Sequence, residues 1–186
     1  QTPTNLLSFT SLQETSTVNG NKTSLQYDPQ ARTWTTTLPS GRSVATSVDN
    51  LDRPVSVSVP GMAKISMTYD SAGRPLSVSA SDGTTTRSMS NVYYPDGPQK
   101  GWLESATDPL GHTVSFQYDA AGHITAKVLP DGRQIAFGYD AAGNLTSIAP
   151  PGRPTHGFSY TPVDKTASYT PPLVPGVSTS ATQYQY

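Results

Sequence analysis

The chain has 186 residues, 12 basic and 13 acidic side chains, a formal net charge of −1 and no cysteine. The basic residues are scattered, which indicates no nucleic-acid groove, and without thiols the chain can build neither a disulfide nor a thiolate metal centre. No apolar run approaches the roughly 20 residues needed to span a bilayer as a helix, and the 15 glycines and 17 prolines, with only 34% hydrophobic and 13% charged residues, favour many short strands joined by turns.

Residues 1–26 form a leading segment. Ser16-Thr17-Val18, then Asn19-Gly20, then Lys22 to Tyr27 reads as a β-hairpin, because Asn-Gly supplies the two positive φ values of a type I′ turn. Before it, Leu6, Leu7 and Phe9 have no clear period.

From Tyr27 to Tyr160 one unit recurs. The step from Tyr118 to Tyr139 leads on, unchanged, to Tyr160, and the same step links Tyr27, Val48 and Tyr69. A second turn keeps register with the first: Gly41, Gly83 and Gly132 follow Tyr27, Tyr69 and Tyr118 at one constant offset. Self-similarity at a fixed period of this size means a repeat architecture. From Tyr69 to Tyr94 and from Tyr94 to Tyr118 the steps are longer, which places extra residues in loops, among them a turn at Asp108-Pro109-Leu110-Gly111.

Within the units, Val55, Val57 and Val59 alternate with Ser56 and Ser58, and Val114, Phe116 and Tyr118 alternate likewise, so the repeated tyrosine belongs to the apolar face of a strand. Its hydroxyl can reach a polar partner at the strand end. The aspartate that follows can accept from the backbone N–H two residues on, and the glycine takes a φ that other residues resist. Residues 161–186 bring Thr161-Pro162, Thr170-Pro171-Pro172 and Val174-Pro175-Gly176, too many prolines for central strands, and read as an extended segment leading into the next repeat. Tyr186 follows Tyr160 at one of the longer steps, where a further unit's tyrosine is expected, with Asp or Asn after it in a longer parent chain.

The pairs Tyr27-Asp28, Tyr69-Asp70, Tyr118-Asp119 and Tyr139-Asp140, the last three followed by Gly73, Gly122 and Gly143, resemble the YD repeats of the Rhs proteins, which also occur in bacterial insecticidal Tc toxin components and in animal teneurins. The resemblance covers nearly all of the chain from Tyr27 onward. It implies an all-β, solenoid-like strip of antiparallel hairpins that spirals into a shell, and in the bacterial proteins that shell encloses a C-terminal toxin. It also implies a secreted or cell-surface location, and the remaining repeats and the enclosed toxin as partners. The pattern departs from the family's at Val48-Asp49, which lacks the tyrosine, at Tyr94 and Tyr160, which lack the acid, and at Ala31, where a glycine is expected.

Three function classes are weighed. A structural wall module is favoured through the resemblance. A binding module would use Trp34 and Trp102 with the polar sheet face to recognise a glycan or cell-surface protein. An enzyme is disfavoured: His112, His123 and His156 suggest no convergent ligands or acid–base partners, and no nucleophile elbow surrounds a serine. No cofactor is expected. Arg74, His123 and Asn144 each follow a unit's glycine, and this variety reads as a solvated strand start. Unpaired strand edges on such a strip favour edge-to-edge self-association.

Overall fold

The computed structural model describes residues 11–173, 175–176 and 180–186, so Leu6, Leu7 and Phe9 lie outside it. The chain is all-β, with no helix among the described residues, and falls into two compact units, residues 1–90 and 91–186.

The first unit is an antiparallel meander of β1 (Leu12–Val18), β2 (Asn21–Asp28), β3 (Thr33–Thr37), β4 (Ser43–Val48), β5 (Pro54–Ser58), β6 (Lys64–Tyr69), β7 (Pro75–Ser81) and the first five residues of β8 (Thr86–Tyr93), each strand pairing with its neighbours in sequence. The second follows the same plan with β9 (Leu103–Thr107), β10 (Thr113–Tyr118), β11 (Ile124–Val128), β12 (Gln134–Tyr139), β13 (Leu145–Ala149), β14 (His156–Tyr160), β15 (Thr166–Thr170) and β16 (Thr182–Gln183). The step from one repeat tyrosine to the next is therefore two strands and two turns, and Tyr69, Tyr118, Tyr139 and Tyr160 each end an even-numbered strand.

The ladder does not stop at Tyr160. Tyr160 pairs with Thr166 and Ser168 pairs with Gln183, so the proline-rich stretch after residue 160 carries two strands of the same meander. Its prolines flank β15 and do not interrupt it, which is where a residue without an N–H is tolerated.

Period-two alternation separates two faces. In the first unit one face carries a row of serines, Ser47↔Ser56↔Ser66↔Ser79↔Ser88, each opposite the next. Hydroxyls bond across it, Thr33 to Ser47 at 3.0 Å and Thr68 to Ser77 at 2.7 Å. The other face carries Val57↔Ile65 and Met67↔Val78↔Met89. Little of this apolar face is fully covered. Among the described residues only Val48 and Ala126 are buried apolar side chains, and the repeated tyrosines are half-buried rather than deep in a core.

With so little buried area, ladders and turns must hold the hairpins. Asn19 and Gly20 have φ of 50° and 79°, the two left-handed residues of a type I′ turn. Elsewhere a five-residue loop recurs. In Leu129–Arg133 the Leu129 N–H donates to the Arg133 carbonyl (2.7 Å) and the Gly132 N–H donates to the Leu129 carbonyl (2.9 Å), and Leu38–Arg42 makes the same two bonds. Such a loop needs one left-handed residue at its fourth position, met by Gly132 at φ 81°. A Cβ at Gly132 would meet nothing within 4 Å. Gly132→Ala should therefore show the backbone cost alone, on the order of 1 kcal/mol in urea or thermal unfolding.

Candidate functional site

The repeated side chains converge on the turns that join even-numbered strands to the next odd-numbered strand. Four of the tyrosines there donate their hydroxyls to the carbonyl of the first residue of the preceding strand: Tyr69 to Pro54 (2.8 Å), Tyr118 to Leu103 (2.8 Å), Tyr139 to Ile124 (3.0 Å) and Tyr160 to Leu145 (3.0 Å). The separation along the chain is the same every time. Burial raises the pKa of the Tyr118 and Tyr139 phenols, with the neighbouring Tyr94 and the Asp119 carboxylate adding to it respectively, so these hydroxyls keep the proton that they donate.

Each aspartate clips its own loop. Asp70 Oδ1 accepts from the N–H of Ala72 and of Arg74, both at 2.9 Å, while Oδ2 takes Arg74 Nε at 2.6 Å. Asp119 repeats this with Ala121, His123 and the His123 ring, and Asp140 with Ala142, Asn144 and the Asn144 amide. Asp49 repeats it with Leu51 and Arg53, although Val48 replaces the tyrosine before it. The residue four after the aspartate is thus the clip's partner and not a solvated strand start. Arg53, Arg74, His123 and Asn144 differ in kind, but each carries an N–H within reach of Oδ2. That shared chemistry at a constant offset was readable in the sequence.

Departures from the motif keep the loop geometry. Thr161 stands in for aspartate: its Oγ1 accepts from the Lys165 N–H at 3.1 Å, and Asp164, at φ 59°, takes the glycine position. Asp52 does the same at φ 58°. In the first loop the left-handed residue is Arg32 (φ 48°) rather than Ala31, and Asp28 Oδ1 accepts from Gln30 and Ala31. In the long loop the Tyr94 N–H donates to the Trp102 carbonyl and the Gly101 N–H to the Tyr94 carbonyl. Tyr94 therefore holds the aspartate's position, and the tyrosine that ends the strand is Tyr93, not Tyr94. The Asp108 clip, with Leu110 and His112, closes a turn of the other kind, from β9 to β10.

Both tryptophans pack on repeat tyrosines. Trp34 is half-buried opposite Tyr27 with ring centroids 4.5 Å apart, and Trp102 is half-buried with its ring 5.1 Å from that of Tyr118. The histidines stay apart, His112 on Asp108, His123 on Asp119 and His156 on the Tyr169 hydroxyl at 2.8 Å. Among the described residues no group of three or more His, Asp or Glu could hold a metal ion.

The family described as teneurin YD-shell matches residues 3–180. No curated protein matches the chain. Among solved structures, a crystal structure of TcdB2-TccC3-Cdc42 is similar over 95% of this chain and 10% of its own, with 14% identity and a TM-score of 0.59. One of TcdB2-TccC3-TEV is similar over the same shares, with 15% identity and a TM-score of 0.61. A third, of TcdB2-TccC3 without its hypervariable C-terminal region, covers 81% of this chain and 8% of its own, with 14% identity and a TM-score of 0.56. The chain thus spans about a tenth of the length of the solved chains it matches, and at these identities the likeness is one of fold.

The clips carry a signature in acid. The Asp82 carboxyl is lowered from 3.8 to about 2 by the Thr85 N–H first, then by the Thr84 N–H and hydroxyl, and Asp70 is lowered chiefly by the Arg74 N–H. A carboxylate whose folded pKa is depressed adds stability above its unfolded pKa and loses it as pH falls through the folded one. Unfolding midpoints should accordingly hold down to about pH 4 and fall between there and about pH 2. Asp70→Asn should lower the midpoint at neutral pH and flatten that fall. At Gly143 a Cβ would lie 2.9 Å from His123 Nε2 with φ at 87°, so Gly143→Ala should cost about twice what Gly132→Ala does in the same unfolding assay.

Proposed function

We propose, from the premise that this chain belongs to the teneurin YD-shell family, that it is a structural wall module: a run of repeat hairpins in a longer protein whose shell encloses a C-terminal effector or toxin. The observation that carries this reading is the clip-and-tyrosine turn, made again and again by side chains that satisfy one another and leave no convergent reactive group. A series of hairpins in which every strand has its partners next to it in sequence extends by adding units, which suits a wall better than a pocket. Its partners are then the other repeats of the parent chain and whatever they enclose. A secreted or cell-surface setting is in keeping with that role.

Catalysis is not part of this reading, since the polar groups at the turns are engaged with backbone N–H groups and with each other. The alternative, a carbohydrate face built on Trp34 and Trp102, is the less favoured reading, because both indoles pack against repeat tyrosines. Limited proteolysis tests the wall. In the parent protein, excising residues 119–139, one full repeat, should turn a protease-resistant enclosed segment into a rapidly cleaved one. Resistance unchanged by the excision, or a C-terminal segment cleaved at once in the intact protein, would remove the enclosing role.

A further inference from the structure

The fifth residue of the turn, counting the aspartate as the first, has a second set of contacts that its own loop does not explain. When the β11–β12 register Ala126↔Ala136 is continued outward, His123 falls opposite Tyr139. The rings are stacked, with centroids 4.7 Å apart and planes at 24°. The same continuation sets Arg53 opposite Tyr69, where the guanidinium lies 4.7 Å from the ring centroid, and sets Trp102, the last residue of the nine-residue Tyr94 turn and the counterpart of the fifth residue elsewhere, opposite Tyr118 at 5.1 Å. Each of these side chains also lies beneath the next turn's glycine. A Cβ on Gly73 would approach Arg53 to 3.4 Å, one on Gly122 would approach Trp102 to 3.4 Å, and one on Gly143 would approach His123 to 2.9 Å. Asn144 reaches the left-handed position of its next turn by another route, its amide donating to Asp164 Oδ1 at 2.8 Å.

The chain's last tyrosine fits this scheme. The register Ser168↔Gln183, extended by the Tyr184 N–H bonded to the Ala167 carbonyl, brings Lys165 opposite Tyr186. The Lys165 ammonium lies 4.6 Å from the centre of that ring. Lys165 is the fifth residue of the Thr161 turn, so this is the relation that Arg53 has to Tyr69.

We propose that the fifth residue of each turn is the coupling element between successive hairpins, held on its own loop and packed under the next tyrosine and the next left-handed residue, and that Lys165–Tyr186 is a further link, making Tyr186 a repeat tyrosine despite its longer step from Tyr160. Where an aspartate clip is present, its Oδ2 fixes the side chain before the next hairpin arrives, so less rotamer freedom is lost on contact. The left-handed position must then be small for two reasons, φ and the side chain beneath it, which explains why Gly73, Gly122 and Gly143 are glycine while Gly41 and Gly132 have open space around a would-be Cβ. The scheme does not depend on what the wall encloses.

Native-state hydrogen exchange on the full chain tests it. His123→Ala and Tyr139→Leu should each lower protection about tenfold in both the β11–β12 and the β13–β14 hairpins, with the double variant no worse than the poorer single one. Additive losses, or losses confined to the 119–123 loop, would overturn the proposal. Should these variants fold poorly, Asn144→Arg placed in an Asp164→Gly background provides the opposite arm: an arginine under a glycine before Tyr160 should raise protection in β13 to β15 above that of Asp164→Gly alone, and unchanged or lower protection there counts against coupling. Lys165→Met and Tyr186→Ala should lower protection of β15 and β16 by a similar factor, whereas no change in either removes Tyr186 from the series.

Discussion

The regular repeats are organised around an aspartate that faces its own loop. A carboxylate that accepts two backbone N–H groups and a side-chain donor fixes the whole turn at once, and it does so at the surface, where ion pairs alone contribute little. The Arg74–Asp70 contact at 2.6 Å is best seen as part of this clip rather than as a free salt bridge, because the same aspartate already holds its backbone donors. Replacing the guanidinium by imidazole or amide keeps the geometry and changes only the charge, as His123 and Asn144 do. At Tyr69, Tyr118, Tyr139 and Tyr160 the tyrosine then ties the turn to the strand before it through a hydroxyl of constant reach. A sheet with two buried apolar side chains among its described residues needs this kind of local closure, since hydrophobic burial supplies less than it would in a sandwich core.

Irregular units show what the motif requires. Thr161 and Tyr94 replace the acid, Asp52 and Asp164 replace the glycine, and Val48 replaces the tyrosine, yet the backbone bonds that close the loops persist around all of them. The common demand is a left-handed residue just before the following strand, plus a donor or ring on the residue after it. Extra residues enter in two ways: between Tyr94 and Trp102 they lengthen a loop whose closing Gly101 bond is still made, whereas between Tyr69 and Tyr93 they lengthen strands β7 and β8 and not the loops where the sequence placed them. The ladder therefore reads sequence by position in the register rather than by count along the chain.

The sequence carries the fold class, the repeat step and the alternation of faces in plain view, because each rests on local chemistry: Asn-Gly at residues 19–20, Val-Ser alternation at 55–59, and Tyr-Asp with a following glycine. It conceals what depends on the neighbouring strand. Tyr94 passes for the repeat tyrosine because two tyrosines stand side by side and only the end of β8 at Tyr93 distinguishes them. Residues 161–186 look too rich in proline for a ladder because the places of Pro162, Pro171 and Pro172, outside β15, follow from pairing with β14. The packing of the tryptophans is hidden in the same way, because an aromatic read from sequence has no direction until Tyr27 and Tyr118 are seen beside Trp34 and Trp102. The fifth residue is the most instructive case. Its variety suggests neutrality when residue types are compared, and constraint when donors are compared.

This arrangement also bears on how order spreads. Strand pairing links each hairpin only to those next to it in sequence, so stability in such a series is a sum of hairpin terms and nearest-neighbour terms. The tyrosine bonds point backward, to the strand before, while the fifth residue points forward, to the tyrosine and left-handed position of the hairpin after it. Each junction is thereby closed from both sides at the same end of the strands, and the opposite end is left to simple turns such as Leu129–Arg133. The opposite margin closes with backbone bonds of the same kind, repeated at 38–42, 108–112 and 129–133, while the Tyr-Asp margin admits the longer Tyr94–Trp102 loop without losing them, so what sets the Tyr-Asp margin apart is the side chains that join one hairpin to the next and not the turn backbone.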